Sequence, residues 1–424
     1  MRWAPVLGIG YFAVLLAFVG GLYIAHARVW PFLIFRNVYR FVQGHKDEAD
    51  TLLQKITNDM GIRPDRFLHE YKPPDLASFT ELKGLDLSAR RKNPLIKTTK
   101  SVPPGYIYIA GKFDFTDGMN GVLLLDTSGK LLRRWIIPNR DIKDGHHHLF
   151  TMLRDGSFVS AADYAALYRI NRCGGEMGRI NGTFHHSISR LDGHRYWVSG
   201  SVSDPNAVSL VNMDAYTVER TILLKDVHKA VDPELSIFLI GPRADAEDPW
   251  HNNDVEPLPA KIAAHNPFAA GDLLISYRHL DLLYVLDPKT LAIKWWTNDY
   301  TAGQHDPDWQ ADGTVTVFDN RSLGKPGKFS AVEHFDFSGK KPRMILDGRN
   351  YGFYSSIGGK HTVLKDGSIL VLSYDQGRVL WVGPKGDVWF DFINRYSDTE
   401  SLIVLNTGYL PPDYFTTKVS APCD

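Results

Sequence analysis

The stretch His305–Val317, H-D-P-D-W-Q-A-D-G-T-V-T-V, places a histidine before a short spacer, an Asp-Gly turn and an apolar run. Related stretches begin at His147, His185, His251 and His361, and the strand of the third is delayed to residues 273–276 by an insertion. Successive starts lie 38, 66, 54 and 56 residues apart. A repeat of roughly 40 to 60 residues built from short strands is typical of one blade of a β-propeller. The repeat therefore predicts a ring of similar sheets.

Strand-like runs also precede the first repeat, at residues 106–110, 121–126 and 131–137. Together with the five repeats they predict an all-β domain over residues 105–424, folded as a six-bladed β-propeller. The apolar run L-I-V-L-N at residues 402–406 is expected to pair beside the first blade and close the ring, which removes exposed sheet edges. Cys173 and Cys423 allow one disulfide or two free thiols, and the sequence leaves both open.

The amino-terminal residues 3–25 carry no charged side chain and are long enough to cross a bilayer as a helix. No polar cleavage region follows, so residues 1–28 are predicted as a retained transmembrane anchor. Residues 29–104 are predicted as a juxtamembrane amphipathic segment and linker that ends in a basic, extended tether near residues 90–100. More basic residues follow the span than precede it, and this asymmetry alone favours a cytoplasmic body.

The overall charge is balanced, with 48 Lys and Arg residues against 48 Asp and Glu residues among 424. This balance predicts no nucleic-acid partner. The chain also lacks a G-x-x-x-x-G-K-[ST] loop that would cradle a nucleotide phosphate. Function is therefore expected to depend on the repeated histidines.

Residues at equivalent positions of propeller blades converge on the central channel, so the repeats bring several imidazoles together. Converging imidazoles can bind a transition metal. Alternatively, one imidazole acts as a nucleophile on an anionic ester while the other groups hold the transferring oxygens. Arg278 favours the second chemistry, because its permanent charge repels a metal but suits a sulfuryl or phosphoryl group. The histidines interpreted as solvated or structural are His146, His228, His265, His279 and His334.

Five segments resemble the bacterial arylsulfotransferase (aryl-sulfate sulfotransferase) family. They are D-P-W-H-N-N-D-V (248–255), L-I-S-Y-R-H-L-D-L-L-Y-V-L-D-P-K-T (274–290), G-Q-H-D (303–306), V-F-D-N (317–320) and G-Y-L-P-P-D-Y-F (408–415). The resemblance covers roughly residues 105–415. It implies ping-pong transfer of a sulfuryl group from an aryl sulfate donor to a phenolic or other hydroxyl acceptor, through a transient sulfohistidine. No nucleotide sulfate, other cofactor or metal is expected.

The resemblance also implies roles for individual residues. His305 would be the nucleophile, and His251 and Arg278 would stabilise the sulfuryl oxygens and the leaving phenolate. His186 is preferred over its neighbour as the further axial histidine and proton shuttle. The remaining candidates for substrate binding are His185, His148, His361 and Asn253. Asp254 stands where the family usually has serine, and a carboxylate beside an anionic donor is unfavourable unless it points away.

The family is generally extracytoplasmic, so the propeller is expected in the periplasm, held by a single-pass anchor in the bacterial inner membrane, against the count of basic residues. The anchor provides the membrane contact through residues 3–25 and leaves room for a membrane protein partner. It also admits a glycan or lipid-linked acceptor. Two other functions are considered: a non-catalytic propeller that scaffolds a membrane or cell-surface complex, and a histidine-ligated metalloenzyme.

Overall fold

The computed structural model describes residues 68–70, 76–89, 91–137, 145–231, 235, 239, 248–321 and 329–423. Asp65–Leu239 and Trp250–Asp424 form one compact unit, and the other unit, Met1–Pro64 with Ile240–Pro249, lies almost wholly outside the described residues. The predicted anchor and amphipathic segment therefore also lie outside them. Within the described residues, no helix combines the length and the apolar character needed to cross a bilayer.

The described chain is built almost entirely of strands. They are β1 (Leu68–Glu70), β2 (Thr80–Glu81), β3 (Leu95–Thr98), β4 (Tyr106–Phe115), β5 (Gly118–Asp126), β6 (Leu131–Ile136), β7 (Leu149–Met152), β8 (Phe158–Ala161), β9 (Ala165–Ile170), β10 (Glu176–Asp192), β11 (Arg195–Ser199), β12 (Ala207–Asn212), β13 (Thr217–Leu223), β14 (Asn252–Pro257), β15 (Leu273–Tyr277), β16 (Leu282–Leu286), β17 (Ile293–Thr297), β18 (His305–Trp309), β19 (Val315–Asp319), β20 (Ala331–Phe335), β21 (Arg343–Asp347), β22 (Lys360–Val363), β23 (Ile369–Ser373), β24 (Arg378–Val382), β25 (Val388–Ile393), β26 (Glu400–Leu402) and β27 (Val404–Leu410). The short helices are α1 (Leu224–Val227) and α2 (Ala260–Ala263), and the described 3-10 turns are Leu76–Ser78, His228–Ala230, Arg278–Leu280 and Gly348–Tyr351.

Neighbouring strands in sequence pair antiparallel to form successive sheets. Strands β14 to β17 and β18 to β21 make two four-stranded sheets, and β27 joins β4 to β6 in a third. Strands β22 to β25 continue through β3 and β2, whereas β7 to β13 form one run in which β10 pairs first with β9 and then with β11. Successive meandering sheets of this kind, with the last strand paired to the first sheet, make an all-β propeller, as predicted. The number of blades stays a prediction.

The carboxyl-terminal strand closes the propeller, as expected from the apolar run at residues 402–406. Strand β27 pairs with β4, with Leu410 opposite Tyr106. Beyond it, the Nε atom of Arg133 donates to the carbonyl oxygen of Val419 at 2.6 Å. Cys173 and Cys423 form a disulfide with their Cα atoms 5.6 Å apart, which settles the question that the sequence leaves open. The tail is thus fixed to the early sheets both covalently and by hydrogen bonds.

Residues 95–98, inside the basic stretch predicted as an extended tether, instead form strand β3 and pair with β25. Leu95 and Ile96 lie opposite Ile393 and Phe392 of β25, and both are buried. The basic residues of this stretch hide the strand from sequence inspection. Two adjacent apolar residues are enough to anchor a short strand on a sheet whose own residues are apolar. This segment therefore belongs to the propeller.

The core lies between adjacent sheets, and this explains why the central strands are apolar on both faces. In β15 and β16, Leu274 and Leu283 pack with Trp309 of the next sheet, whereas Ile275 packs with Trp197 of the preceding one. Alternate side chains point to opposite faces of a strand, so a sheet covered on both sides reads as a continuous apolar run. This packing leaves the strand ends as the place for polar side chains.

Candidate functional site

A cavity of about 240 Å³ gathers side chains from several sheets. The histidines that line it are His146, His148, His186, His251 and His305. Cationic side chains in its wall come from Arg278 and Lys360, and anionic ones from Asp163 and Asp306. The predicted residues His305, His251, Arg278, His186, His148 and Asn253 therefore share one cavity, whereas His185 and His361 do not line it.

Three inner strands carry the same irregularity beside their histidines. The pairing register shifts after His185 in β10, after Asn252 in β14 and after His305 in β18. Close by, His186, His251 and Asp306 have φ angles of 54°, 52° and 52°. Such bulges re-aim a side chain at the end of a strand, and each left-handed non-glycine residue costs about 1–3 kcal/mol. Three of the five repeats thus share a strained backbone as well as a histidine.

The ring of His305 is oriented by Asn320, which directly follows β19. The Nδ2 atom of Asn320 donates to the carbonyl oxygens of Ser355 and Gly358 at 3.0 and 2.6 Å. This fixes which end of the amide faces His305, so the Nδ1–H of His305 donates to Asn320 Oδ1 at 2.7 Å. A neutral imidazole protonated on Nδ1 keeps its lone pair on Nε2.

His305 is also held in its neutral form. Burial and the neighbouring Arg278 guanidinium keep the pKa of His305 well below its ordinary value, because both disfavour the imidazolium. The arrangement provides a nucleophilic nitrogen that is unprotonated at neutral pH.

Arg278 and His251 are joined through their backbones. Arg278 begins the 3-10 turn after β15, and its backbone N–H donates to the carbonyl oxygen of His251 at 3.0 Å. The turn ends at Asp281, whose carboxylate accepts from the backbone N–H of Gly303 at 2.6 Å. The loop that leads into His305 is therefore fixed to the turn that carries Arg278.

Asn253 lines the cavity and also supports this loop. Its Nδ2 atom donates to the carbonyl oxygen of Gln304 at 2.8 Å, and the Gln304 side chain in turn donates to Ser276 Oγ at 3.1 Å. Within the described residues, Asn253 Oδ1 has no hydrogen-bond partner. Asn253 can therefore position His305 and still offer an acceptor atom to a bound molecule.

His185 and His186 have different surroundings, which supports the preference for His186. His185 is buried outside the cavity wall, and its Nε2–H donates to the carbonyl oxygen of Pro205 at 2.8 Å. Its Nδ1 then accepts from the Nδ1–H of His186, 2.8 Å away. Burial keeps the pKa of His186 well below its ordinary value, although Asp163 acts in the opposite direction. His185 thus orients His186 instead of lining the cavity.

The three consecutive histidines before β7 point alternately towards the protein interior and the cavity. His147 is buried and faces Ser160 Oγ at 3.2 Å, and burial lowers its pKa to about 3. Residues two apart on an extended chain share a face, and His146 and His148 both reach the cavity and Asp163. His148 also stacks on His186, with ring centroids 5.2 Å apart. His146, interpreted from the sequence as structural, is therefore part of the wall.

His361 does not line the cavity, and Lys360 takes that position. Strand β22 pairs with β23 without a register shift, so His361 and Lys360 keep to opposite faces. The side chain of His361 is fully buried, with its Nε2 2.7 Å from Thr316 Oγ1. Lys360 Nζ pairs with Asp306 Oδ1 at 2.5 Å. Although burial disfavours its charge, the carboxylates of Asp306 and Asp254 raise the pKa of Lys360.

Asp254, the residue that departs from the family pattern, is buried outside the cavity wall. Its Oδ1 atom accepts from Ser187 Oγ and from the backbone N–H of Val255. Burial raises the pKa of Asp254 to about 6. Asp254 therefore does not present its carboxylate in the cavity wall, where an anionic donor would meet it.

Several residues in the wall had no signal in the sequence. Tyr374, which stacks on His148 with centroids 5.8 Å apart, follows β23 and belongs to no motif. Lys360 was not singled out in the sequence, because the repeat pattern drew attention to His361, the residue after it. Asp163 had one indirect signal, since it follows the end of β8, where polar side chains commonly carry chemistry.

Comparison with protein families gives one match, the model described as arylsulfotransferase (ASST), over residues 145–395. That range contains every candidate residue named from the sequence. No curated protein matches the chain. The family, rather than an individual relative, therefore provides the comparison for this site.

The solved structures that are similar are distant in sequence. A protein of unknown function from Bacteroides caccae is 9% identical, with 72% of this chain and 98% of that chain covered and a TM-score of 0.47. An inactive virginiamycin B lyase variant from Staphylococcus aureus, solved with quinupristin, is 10% identical over 73% and 86%, with a TM-score of 0.42. The propeller domain of Myceliophteria thermophila Cps50 (Swd1) is 11% identical over 69% and 87%, with a TM-score of 0.40. Because these scores are low, the fold assignment rests on the sheet topology.

Proposed function

Because the chain belongs to the arylsulfotransferase family, we propose that it transfers a sulfuryl group from an aryl sulfate to a hydroxyl acceptor through a sulfohistidine on His305. The observation that carries the proposal is the hydrogen bond from His305 Nδ1 to Asn320 Oδ1 at 2.7 Å, which leaves Nε2 as the unprotonated atom. A buried neutral imidazole in a wall that also contains Arg278 suits attack on an anionic ester.

In the first half-reaction, His305 Nε2 attacks the sulfur atom of the donor. The new N–S bond forms as the aryl O–S bond breaks, and the electron pair of that bond leaves on the phenolate oxygen. In the second half-reaction, the acceptor oxygen attacks the same sulfur, the N–S bond breaks, and its electron pair returns to Nε2. The acceptor proton passes to a base in the cavity. This sequence is the ping-pong route that the family suggests.

Arg278 is assigned the role of stabilising the negative charge that develops on the sulfuryl oxygens. Its planar guanidinium can donate two hydrogen bonds to such a group, and its charge is permanent. His251 lies beside it through the shared backbone hydrogen bond, and its ring meets that of His186 with centroids 4.5 Å apart. The two residues are thus placed to hold the donor while His305 attacks.

His186 is proposed as the group that moves the proton. Because its Nδ1–H donates to His185, its Nε2 is unprotonated and can take the acceptor proton. Because the pKa of His186 is low, protonated His186 passes this proton on to the phenolate released from the donor or to water, which closes the proton balance of the two half-reactions. His148, stacked on His186, is assigned to substrate binding together with Asn253.

We further propose that the ring has six blades. In support, the four-strand groups are β7 to β10, β10 to β13, β14 to β17, β18 to β21, β22 to β25, and β4 to β6 with β27. Strand β10 has 17 residues, enough to serve two neighbouring groups in turn. Each group contributes its first strand or a neighbouring segment to the cavity side.

A periplasmic location with an inner-membrane anchor at residues 3–25 is likewise proposed. The disulfide between Cys173 and Cys423 supports an oxidising compartment, since such bonds persist mainly outside the cytoplasm. The glycan or lipid-linked acceptor and a membrane protein partner belong to this proposal as well.

The test is to incubate the purified chain with an aryl sulfate and digest it for mass spectrometry. The peptide containing His305 should gain about 80 mass units, the mass of SO3, and His305→Ala should abolish both the label and turnover. His334→Ala is a matched control, because its ring contacts Thr314 outside the cavity. Absence of label and of turnover with several donors would favour the non-catalytic scaffold.

A further inference from the structure

Asp163 is a largely buried carboxylate in the cavity wall, with its side chain 19% exposed. Its ionic partners are the Nδ1 atoms of His148, at 2.9 Å, and of His146, at 3.9 Å. Among the described residues, no lysine or arginine lies within ion-pair distance of it, whereas Asp306 in the same wall pairs with Lys360. A buried carboxylate is costly without a cation, so the arrangement calls for a positive charge at this place.

The three side chains are fixed by their backbones. His146 and His148 occupy alternate positions of an extended segment and turn towards the same side, while His147 is buried on the other. The carbonyl oxygen of His146 accepts from the backbone N–H of Asp163 at 2.9 Å, which ties the segment to the turn after β8. One ligating atom from each side chain lies within 4.8 Å of the others. The cluster is therefore assembled before any ligand arrives.

We propose that His146, His148 and Asp163 bind a divalent transition-metal ion in the wall of the cavity. Two imidazoles and one carboxylate are a ligand set that suits Zn²⁺ and its neighbours in the first transition series. Ligand bonds of about 2.0–2.2 Å need donor atoms closer together than 4.8 Å, and the His148–Asp163 pair already has that spacing. The His146 Nδ1 atom lies 3.9 Å from Asp163 Oδ2, which also falls within the span of two such bonds. The ion supplies a positive charge beside the Asp163 carboxylate. The repulsion by Arg278 that argued against a metal acts on the imidazole of His305, which is not a ligand in this set.

A second cluster shows why this one is singled out. Asp306, Asp308 and His361 also bring ligating atoms together. There, however, Lys360 Nζ already pairs with Asp306 at 2.5 Å, and His361 Nε2 is engaged with Thr316 Oγ1 at 2.7 Å. Lys360 already provides a positive charge for the carboxylates of that cluster, so a metal ion would have to displace this lysine.

The ion would lie beside His186, because the rings of His148 and His186 stack with an angle of 9°. Coordination positions left open by three protein ligands suit the oxygen of a hydroxyl group, whose proton a metal makes easier to remove. This role in accepting the sulfuryl group rests on the proposed function, whereas the binding of the ion does not.

The experiment titrates metal-free full-length protein with Zn²⁺ by calorimetry and with Co²⁺ by visible absorption. We expect one ion per chain and Co²⁺ absorption bands that report nitrogen and oxygen ligands. The double variant His146→Ala/His148→Ala, and separately Asp163→Asn, should weaken binding at least about tenfold. His194→Ala is the matched control, because His194 pairs with Asp214 at 2.6 Å on the surface without a second histidine.

Two results would overturn the inference. One is wild-type protein that binds neither Zn²⁺ nor Co²⁺ in these titrations. The other is a nitrogen NMR spectrum, recorded with metal present, in which His148 is an imidazolium paired with Asp163. Both measurements use the wild-type protein, so their interpretation does not depend on whether the variants fold. Sulfuryl labelling of His305 is measured separately, and its failure leaves the metal result interpretable.

Discussion

Asn320 Oδ1 lies 2.7 Å from His305 Nδ1 and determines which nitrogen of that ring carries the proton. Asn320→Leu removes the acceptor, so the ring loses its fixed tautomer and orientation. We expect the rate of sulfuryl transfer from the donor to fall about 10- to 100-fold, the usual loss when an orienting partner is removed. Single-turnover labelling measures this step. Asn212→Leu, outside the cavity wall, should leave it unchanged, and an unaltered rate in Asn320→Leu would contradict the role.

The pH dependence of the donor step should reflect the low pKa of His305. Protonation of Nε2 abolishes the nucleophile, so activity is lost only as pH falls through the pKa of the folded protein, which lies well below 6.5. The kcat/KM for an aryl sulfate should therefore stay level between about pH 8 and pH 6.

Arg278→Gln tests the cause of that low pKa. Removing the guanidinium relieves part of the repulsion on the imidazolium, so the acid limb should move to higher pH while the maximum rate falls. A profile whose acid limb does not move would show that Arg278 leaves the titration of His305 unaffected.

Glu256, in β14, should make the fold less stable in base. Burial and the nearby Asp254 carboxylate raise the pKa of Glu256 from an ordinary 4.5 to about 8. The stability contributed by its neutral form is fully present below pH 4.5 and is lost as pH rises through about 8. Glu256→Gln should flatten the fall in Tm between pH 5 and pH 8. Glu219→Gln, outside this cluster, should retain the slope, and identical slopes in all three proteins would refute the prediction.

The disulfide between Cys173 and Cys423 should stabilise the closed ring, because it holds the tail on sheets that are distant in sequence. Reduction, or Cys173→Ser with Cys423→Ser, should lower the free energy of unfolding by about 2–4 kcal/mol. Chemical denaturation followed by tryptophan fluorescence measures the loss. The double variant should not respond to reductant, and a response there would assign the effect to something other than this bond.

The repeat of histidines before Asp-Gly turns predicted the propeller and most of the cavity, because equivalent positions of neighbouring sheets meet at one side. His186, His251 and His305 all line this cavity, and their roles stay predictions. His361 does not line the cavity, and the repeat could not show this because it does not reveal whether a strand carries a bulge. Without a bulge in β22, the face that reaches the cavity belongs to Lys360.

Other misses have the same physical origin. Side-chain periodicity identifies a strand but says nothing about which charges will meet across the cavity. The pairing of His148 with Asp163 joins two segments whose neighbourhood only the folded sheets define. The strand at residues 95–98 was hidden because its basic neighbours dominate the local composition. The disulfide depended on where the tail docks, which spacing alone does not fix.

The bulges in β10, β14 and β18 create three positions at which the main chain directs a side chain towards the cavity. Each of these positions is defined by the path of the main chain. The side chain at the position can therefore change without altering the pairing of the strand that carries it. The same ring of sheets can therefore present a different set of side chains to the cavity when the residue at each of these positions is exchanged. For protein engineering, an exchange at His251 or His186 alters the groups proposed to hold the donor and to move the proton, and it leaves the hydrogen bond between His305 and Asn320 in place.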